Sequence, residues 1–289
     1  MIAAISKFLN IKKEYVYIGT GSSQFISAIV GLSIWKRVFI SNIEFSLYNR
    51  VACANKKEIK YIEGITVNDF LENLRKYESD DNDVLCISSP RWFSGELFSK
   101  LRIQKILKFF NGTVLIDEAY IDYSCYENGM IDLALTNNRI IILRSFSKKF
   151  LASGYRVGYA ITREQIDGLR NTIIPPHSVS SYSENFFINL LNDKKILNAF
   201  EETRKYIMKN RDLLYEKLNG SENFKIIKSE ANFISLLFYD TNTMEIVYNS
   251  LKDLAGIQKF DYVLPFIKIW ISNEKFSNVV SNRIKELVR

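Results

Sequence analysis

The chain has 289 residues, 47% of them hydrophobic and 25% charged. That balance sets aside disordered and fibrous classes and suits one large or two smaller domains. The +7 formal charge comes from 39 Lys and Arg scattered among 32 Asp and Glu, which favours a small anionic ligand and gives no support for a nucleic-acid partner.

One histidine, His177, argues against a histidine metal site or a Ser-His-Asp triad. Cys53, Cys86 and Cys125 lie far apart with no CxxC pair, as expected of reduced thiols in a cytoplasmic protein. No apolar run approaches the roughly 18–20 residues needed to span a membrane. Met1–Lys7 turns polar too soon for a secretory signal.

In chain order, Ile2, Ile5, Phe8 and Leu9 fall at helical spacing, and 15–18 reads as a short strand. Gly19-Thr20-Gly21-Ser22-Ser23 then leads into a helix from about Gln24. Such a turn presents free backbone N–H groups to a phosphate, or it simply caps a helix. It is neither a Walker loop nor GxGxxG. A strand at 38–41 enters an aromatic loop, Ile43 to Tyr48, whose Phe45 is either core or a stacking surface. An edge strand at 59–62, a helix over 67–77 and a buried strand at 83–88 follow. Ser89-Pro90 stops that strand, and the turn Arg91 to Gly95 precedes a helix over about 97–110.

Thr113 to Ile116 reads as a strand ending on Asp117, which places an acid at the carboxyl edge of a sheet, where α/β proteins bind ligands. Ile140 to Leu143 is the next strand, and 157–161 another, antiparallel because it follows so closely. Between them lies Ser145-Phe146-Ser147-Lys148-Lys149, then Gly154-Tyr155-Arg156-Val157-Gly158. A lysine among hydroxyls and an arginine is either an amine nucleophile beside an anion site or part of a basic solvated loop. Pro175-Pro176 breaks the chain, long helices are expected over 183–191 and 196–218, and strands at 224–227, 233–238 and 266–271 alternate with helices, the last over 279–288. The expected division is a short N-terminal helix over 1–13, a large domain over 14–190 with a mainly parallel sheet between helices, and a smaller α/β domain over 191–289.

Ser145-x-Ser147-Lys148 with Arg156-x-Gly158, together with Asp117-x-x-Tyr120 upstream, resembles the fold-type I pyridoxal-phosphate enzymes. Within them the chain is most similar to class I/II aminotransferases of the histidinol-phosphate aminotransferase and threonine-phosphate decarboxylase branch. The resemblance runs from about Lys12 to the end. It implies pyridoxal 5'-phosphate held by Lys148 as a Schiff base, with Lys148 rather than Lys149 chosen by the spacing to Arg156. Asp117 would face the pyridinium nitrogen and Tyr120 the ring oxygen. Ser145, Ser147, Arg156 and the backbone of Ser22 and Ser23 would take the phosphate, and Phe45 would stack on the ring.

Trp92 stands where the family commonly has an asparagine, and Lys268 aligns with the segment that carries the substrate-carboxylate arginine. The resemblance further implies a homodimer that passes an amino group from a small-molecule amine donor to a keto acceptor. A decarboxylase on the same scaffold and a non-catalytic paralogue are the alternatives. The N-terminal arm of the relatives, with its tyrosine, is expected to be mostly missing.

Overall fold

The computed structural model describes residues 1–124, 129–163, 178–261 and 263–287, so Cys125, Pro175, Pro176 and His177 lie outside the described residues. The apolar runs form strands β1 (Val16–Gly19), β2 (Arg37–Ser41), β3 (Glu58–Ile62), β4 (Asp83–Ser88), β5 (Thr113–Asp117), β6 (Ile140–Ser145) and β7 (Gly158–Ile161). They make one sheet in the order β1-β7-β6-β5-β4-β2-β3. Neighbours from β3 through β6 pair in parallel, while β7 runs antiparallel to both β6 and β1. The expected direction of β7 is therefore observed. Its connection from β6 stays at one sheet edge, as the short helix α7 (Phe146–Lys149) and a 3₁₀ turn over Ser153–Tyr155.

The strands read as continuous apolar runs because both faces of the sheet are covered. Val38, Ile40, Val84, Cys86, Leu115 and Ile141 face helices α2 (Ser22–Val30) and α3 (Ser46–Ala54). The alternate residues Phe39, Leu85, Ile87, Val114, Ile116 and Ile142 face α4 (Val67–Leu74) and α5 (Lys100–Phe109). This period of two is what a pleated strand dictates. Helix α1 (Ile2–Leu9) joins the second face through the buried Ile5. A short helix over Ile131–Thr136 between β5 and β6 was not expected from the sequence.

A second, antiparallel sheet has the order β10-β11-β9-β8, with β8 at Phe224–Ile226, β9 at Phe233–Phe238, β10 at Ile257–Asp261 and β11 at Pro265–Trp270. Helix α9 (Lys194–Leu218) connects the two sheets, and it holds the larger one by its arginines. Arg211 Nη1 donates to the carbonyls of Tyr123 (2.9 Å) and Ala231 (3.0 Å), and Arg204 Nη1 to those of Asp122 (3.1 Å) and Ser124 (3.0 Å). The Tyr123 hydroxyl in turn donates to the Lys148 carbonyl at 2.8 Å. The helix therefore reaches the lysine-bearing turn through a single residue.

Candidate active site

In a parallel sheet the carboxyl ends of the strands share one edge, and ligands collect there. Here the ends of β4, β5 and β6, the start of α2 and the residue before α3 surround a cavity with about 730 Å³ of atom-free space, counting its open mouth. Its walls bring together Ser22, Ser23, Phe45, Trp92, Asp117, Tyr120, Ser145, Ser147, Lys148 and Arg156, with Ser88, Ala119 and Ser153 added.

One end of the cavity is built for an anion. Helix α2 begins at Ser22, two residues earlier than expected, and no side chain caps it. Its first N–H groups and the positive end of its dipole are left for a ligand. Gly21 lies at φ 84°, and a Cβ there would stand 2.9 Å from Arg156 Nη2. At Gly158 a Cβ would fall 2.6 Å from the Gly21 carbonyl carbon. These two glycines let the helix start, the arginine and β7 converge. Arg156 itself is left-handed at φ 54°, and its Nη1 donates to the Ser153 carbonyl at 2.9 Å. Ser145 Oγ accepts from the Ser147 N–H at 3.1 Å, fixing the turn ahead of Lys148.

The two lysines part company. Lys148 lines the cavity with Nζ 5.3 Å from the Tyr120 ring centre, whereas Lys149 pairs with Asp122 at 3.0 Å on the wall of a different cavity. Burial lowers the pKa of Lys148 below the usual lysine value; Asp117 opposes this and the charge of Arg156 adds to it. A larger neutral fraction makes the amine a better nucleophile and base.

Asp117 is 7% exposed and is pushed up to about 7, first by burial and then by the charges of Glu44 and Glu118. Its Oδ1 accepts from the Ala119 N–H at 2.9 Å. Neighbouring Glu118 is neutralised by Arg144 at 2.8 Å, while Asp117 has no ion-pair partner within 4 Å among the described residues. The buried Tyr48 hydroxyl lies beside Asp117 without a hydrogen bond of regular geometry.

Glu44 escaped the sequence reading because a lone charge in a loop looks solvated. It is 8% exposed and accepts from the Phe45 N–H at 2.9 Å and the Ser88 hydroxyl at 2.8 Å, while Ser88 Oγ accepts from the Trp92 N–H at 2.7 Å. One carboxylate therefore orders three cavity residues. In the Glu44→Gln protein the Asp117 carboxyl, followed by ¹³C resonance, is expected to titrate at lower pH, because one of the charges that raises it is gone. An unmoved midpoint would show the two carboxyls to be uncoupled.

Trp92 and Lys268 meet behind the cavity wall. The Trp92 ring packs edge-on against Phe260 at 5.1 Å and Phe266 at 6.2 Å. Lys268 is fully buried, its Nζ donates to the Trp92 carbonyl, and it is absent from the cavity lining. Rings of Trp92 (4.1 Å), Phe233 (4.2 Å), Trp270 (5.3 Å) and Phe260 (5.9 Å) enclose the amine. Burial, and then the charge of Lys148, put its pKa well below the usual lysine value.

Comparison with known proteins gives a consistent pattern. Residues 1–268 match the family described as aminotransferase class I and II. The chain is 30% identical over 240 residues to a histidinol-phosphate aminotransferase of Methanococcus aeolicus, covering 81% of this chain and 64% of that protein. Its fold is similar to the crystal structure of the histidinol-phosphate aminotransferase from Clostridium acetobutylicum, with TM-score 0.83 and 22% identity over 99% of this chain and 87% of that one. It is also similar to the Sinorhizobium meliloti histidinol-phosphate aminotransferase in complex with pyridoxal-5'-phosphate, with TM-score 0.82 and 16% identity over 100% and 80% of the two chains.

Proposed function

This chain belongs to the class I and II aminotransferase family, and from that premise we propose that it is a pyridoxal-phosphate-dependent aminotransferase working through Lys148. The observation that carries the proposal is one cavity holding a pKa-lowered lysine, an uncapped helix start and a buried, unpaired Asp117.

The residues present fit the cofactor. Gly21 leaves space where a Cβ would press on Arg156, and the α2 N–H groups, Ser145, Ser147 and Arg156 supply donors for a phosphate, the arginine in a fork that lysine cannot copy. Asp117 would face the ring nitrogen, Tyr120 the ring oxygen and Phe45 the ring face. Trp92 would sit at the edge of the ring. When bound, the cofactor supplies an electron sink for the pair released at the substrate's nitrogen-bearing carbon. Lys148 Nζ would hold the cofactor, and its amine is the group that would take the proton from that carbon and return one. Asp117 keeps a positive charge opposite itself, and Ser88 and Glu44 hold the Trp92 turn in place.

A cytoplasmic homodimer that uses a small-molecule amine donor and a keto acceptor belongs to the same proposal. It is supported by the family membership and by the scattered thiols, of which Cys53 and Cys86 are free. Addition of pyridoxal 5'-phosphate to the purified protein is expected to give a visible lysine-bound band. A panel of amines and amino acids should then convert the cofactor to its amine form without releasing carbon dioxide. Carbon dioxide release without that conversion would replace transfer by decarboxylation.

A further inference from the structure

Lys148 sits in a helix too short to hold itself. Helix α7 has four residues, and a single turn fixes more backbone than its own hydrogen bonds offset. Phe146 and Phe150 place their rings 4.7 and 6.0 Å from Phe187, which seats the apolar side of the turn in the core of the large sheet. Apolar packing of this kind is non-directional and leaves the turn able to slide. From within its own turn the Lys148 carbonyl accepts from the Leu151 N–H, at a long 3.3 Å. Leu151 then leaves at φ 50°, a left-handed conformation that a leucine keeps only where its surroundings impose it.

The constraint comes from Asp122 and Tyr123, consecutive residues of a 3₁₀ turn over Ile121–Tyr123. The Tyr123 hydroxyl donates to the Lys148 carbonyl at 2.8 Å, a shorter bond than the turn's own. Beside it, Lys149 Nζ donates to Asp122 Oδ1 at 3.0 Å. Two neighbours thus grip two neighbours, which sets the register of one turn against the other. Asp122 and Tyr123 are 6% and 2% exposed, so water does not compete strongly for these bonds.

The gripping turn is itself held from behind. Arg204 of α9 donates to the carbonyls of Asp122 and Ser124, and Arg211 to that of Tyr123. The same Arg211 Nη1 reaches the Ala231 carbonyl ahead of β9. In front, the Tyr123 N–H donates to the Tyr120 carbonyl at 3.1 Å. The Tyr120 ring and Lys148 Nζ, 5.3 Å apart, therefore depend on one anchored residue.

We infer that Tyr123, with Asp122 beside it, is the positioning residue for Lys148, fixing the lysine's main chain so that its side chain alone moves during the reaction. This rests on the aminotransferase reading and deepens it. The Tyr123 hydroxyl is engaged by the carbonyl and touches no reacting atom, so it acts through where it puts Nζ. Misplacing a reacting group by about 1 Å can cost about 10²-fold in rate.

Tyr123→Phe removes the hydroxyl and keeps the ring in the core of the second sheet. Two forms of the cofactor separate position from packing. Pyridoxal 5'-phosphate is an aldehyde that condenses with Lys148 Nζ with loss of water. Pyridoxamine 5'-phosphate carries an amine at that carbon, cannot condense, and depends on the ring and phosphate contacts alone. In the cofactor-free protein, affinity for the aldehyde form, titrated by the visible lysine-bound band, is expected to fall about three- to tenfold in Tyr123→Phe, the scale of one hydrogen bond. Affinity for the amine form, measured by calorimetry, should not change.

Unchanged affinity for the aldehyde form would overturn the inference. So would an equal fall for both forms, which is the mark of a packing residue. Asp122→Asn keeps the side-chain shape and removes the ion pair with Lys149. It is expected to show the same split, and it carries the test if Tyr123→Phe does not fold. At saturating cofactor the band itself persists in both variants. Absence of the band in the parent protein would end the broader reading, a result that needs no variant to recognise.

Discussion

Lys148→Ala is expected to remove the visible lysine-bound band and to slow amine conversion by at least about a thousandfold. General acid–base catalysis alone contributes about 10²–10⁴-fold, and here the same Nζ also anchors the cofactor. Loss of one residue that serves both roles does not divide into two smaller losses. The matched control is Lys149→Ala. Lys149 has a lysine's charge and adjacency, but it pairs with Asp122 outside the cavity, so its removal should leave the band in place. If Lys148→Ala kept the band, or Lys149→Ala lost it, the assignment of the anchoring amine would be wrong. Fluorescence-monitored unfolding of both variants separates this from a folding defect. The Lys148 backbone is held by the Tyr123 hydroxyl through its carbonyl, a bond that the alanine retains.

The parts of the site that could be read from sequence are those made of one or two short segments. Gly21-Ser22-Ser23 combines a helix start with residues that suit an uncapped turn, and Asp117 closes an apolar strand, so its place at the sheet edge follows from the run before it. Serines flanking Lys148 and an arginine beyond them occupy one continuous turn. All of these reach the same cavity because parallel strands end at one edge.

Lys268 could not be read in this way. In sequence it is a charge inside Phe266-Ile267-Lys268-Ile269-Trp270, and alternation predicts that it faces either solvent or the interior. Its box comes from Trp92 in a turn, Phe233 on β9, Phe260 on β10 and Trp270 on β11. Four separate segments had to be placed before the amine's surroundings existed. Strand β10 was itself missed, because its residues are largely exposed along an edge and carry no alternating apolar signal. Glu44 was missed for the related reason that it sits in a loop and its partner Ser88 ends a strand 44 residues away.

The buried carboxyls set one demand of function against one of stability. In the cofactor-free folded chain Asp117 holds a proton up to about pH 7, whereas its ordinary value is 3.8. The folded state therefore binds more protons than the unfolded state between these values, and the sign follows: Asp117's contribution to stability is largest below about pH 4 and is lost as pH rises toward 7. At 1.36 kcal/mol per pKa unit the loss is at most about 4 kcal/mol. Asp117→Asn has no such titration. Cofactor-free Asn variant is expected to gain stability relative to the parent between pH 4 and 8, read as a rising difference in melting temperature.

The same substitution should hurt the loaded protein. An amide cannot hold a positive charge opposite itself, so cofactor retention falls and amine conversion slows by roughly 10²-fold or more, the scale of losing one well-placed electrostatic group. Two readouts moving in opposite directions distinguish a charge-holding role from a packing role, in which both would decline together. If the Asn variant were less stable at pH 8 than at pH 4 relative to the parent, or converted amines at the parental rate, Asp117 would not be the group that answers the cofactor's charge.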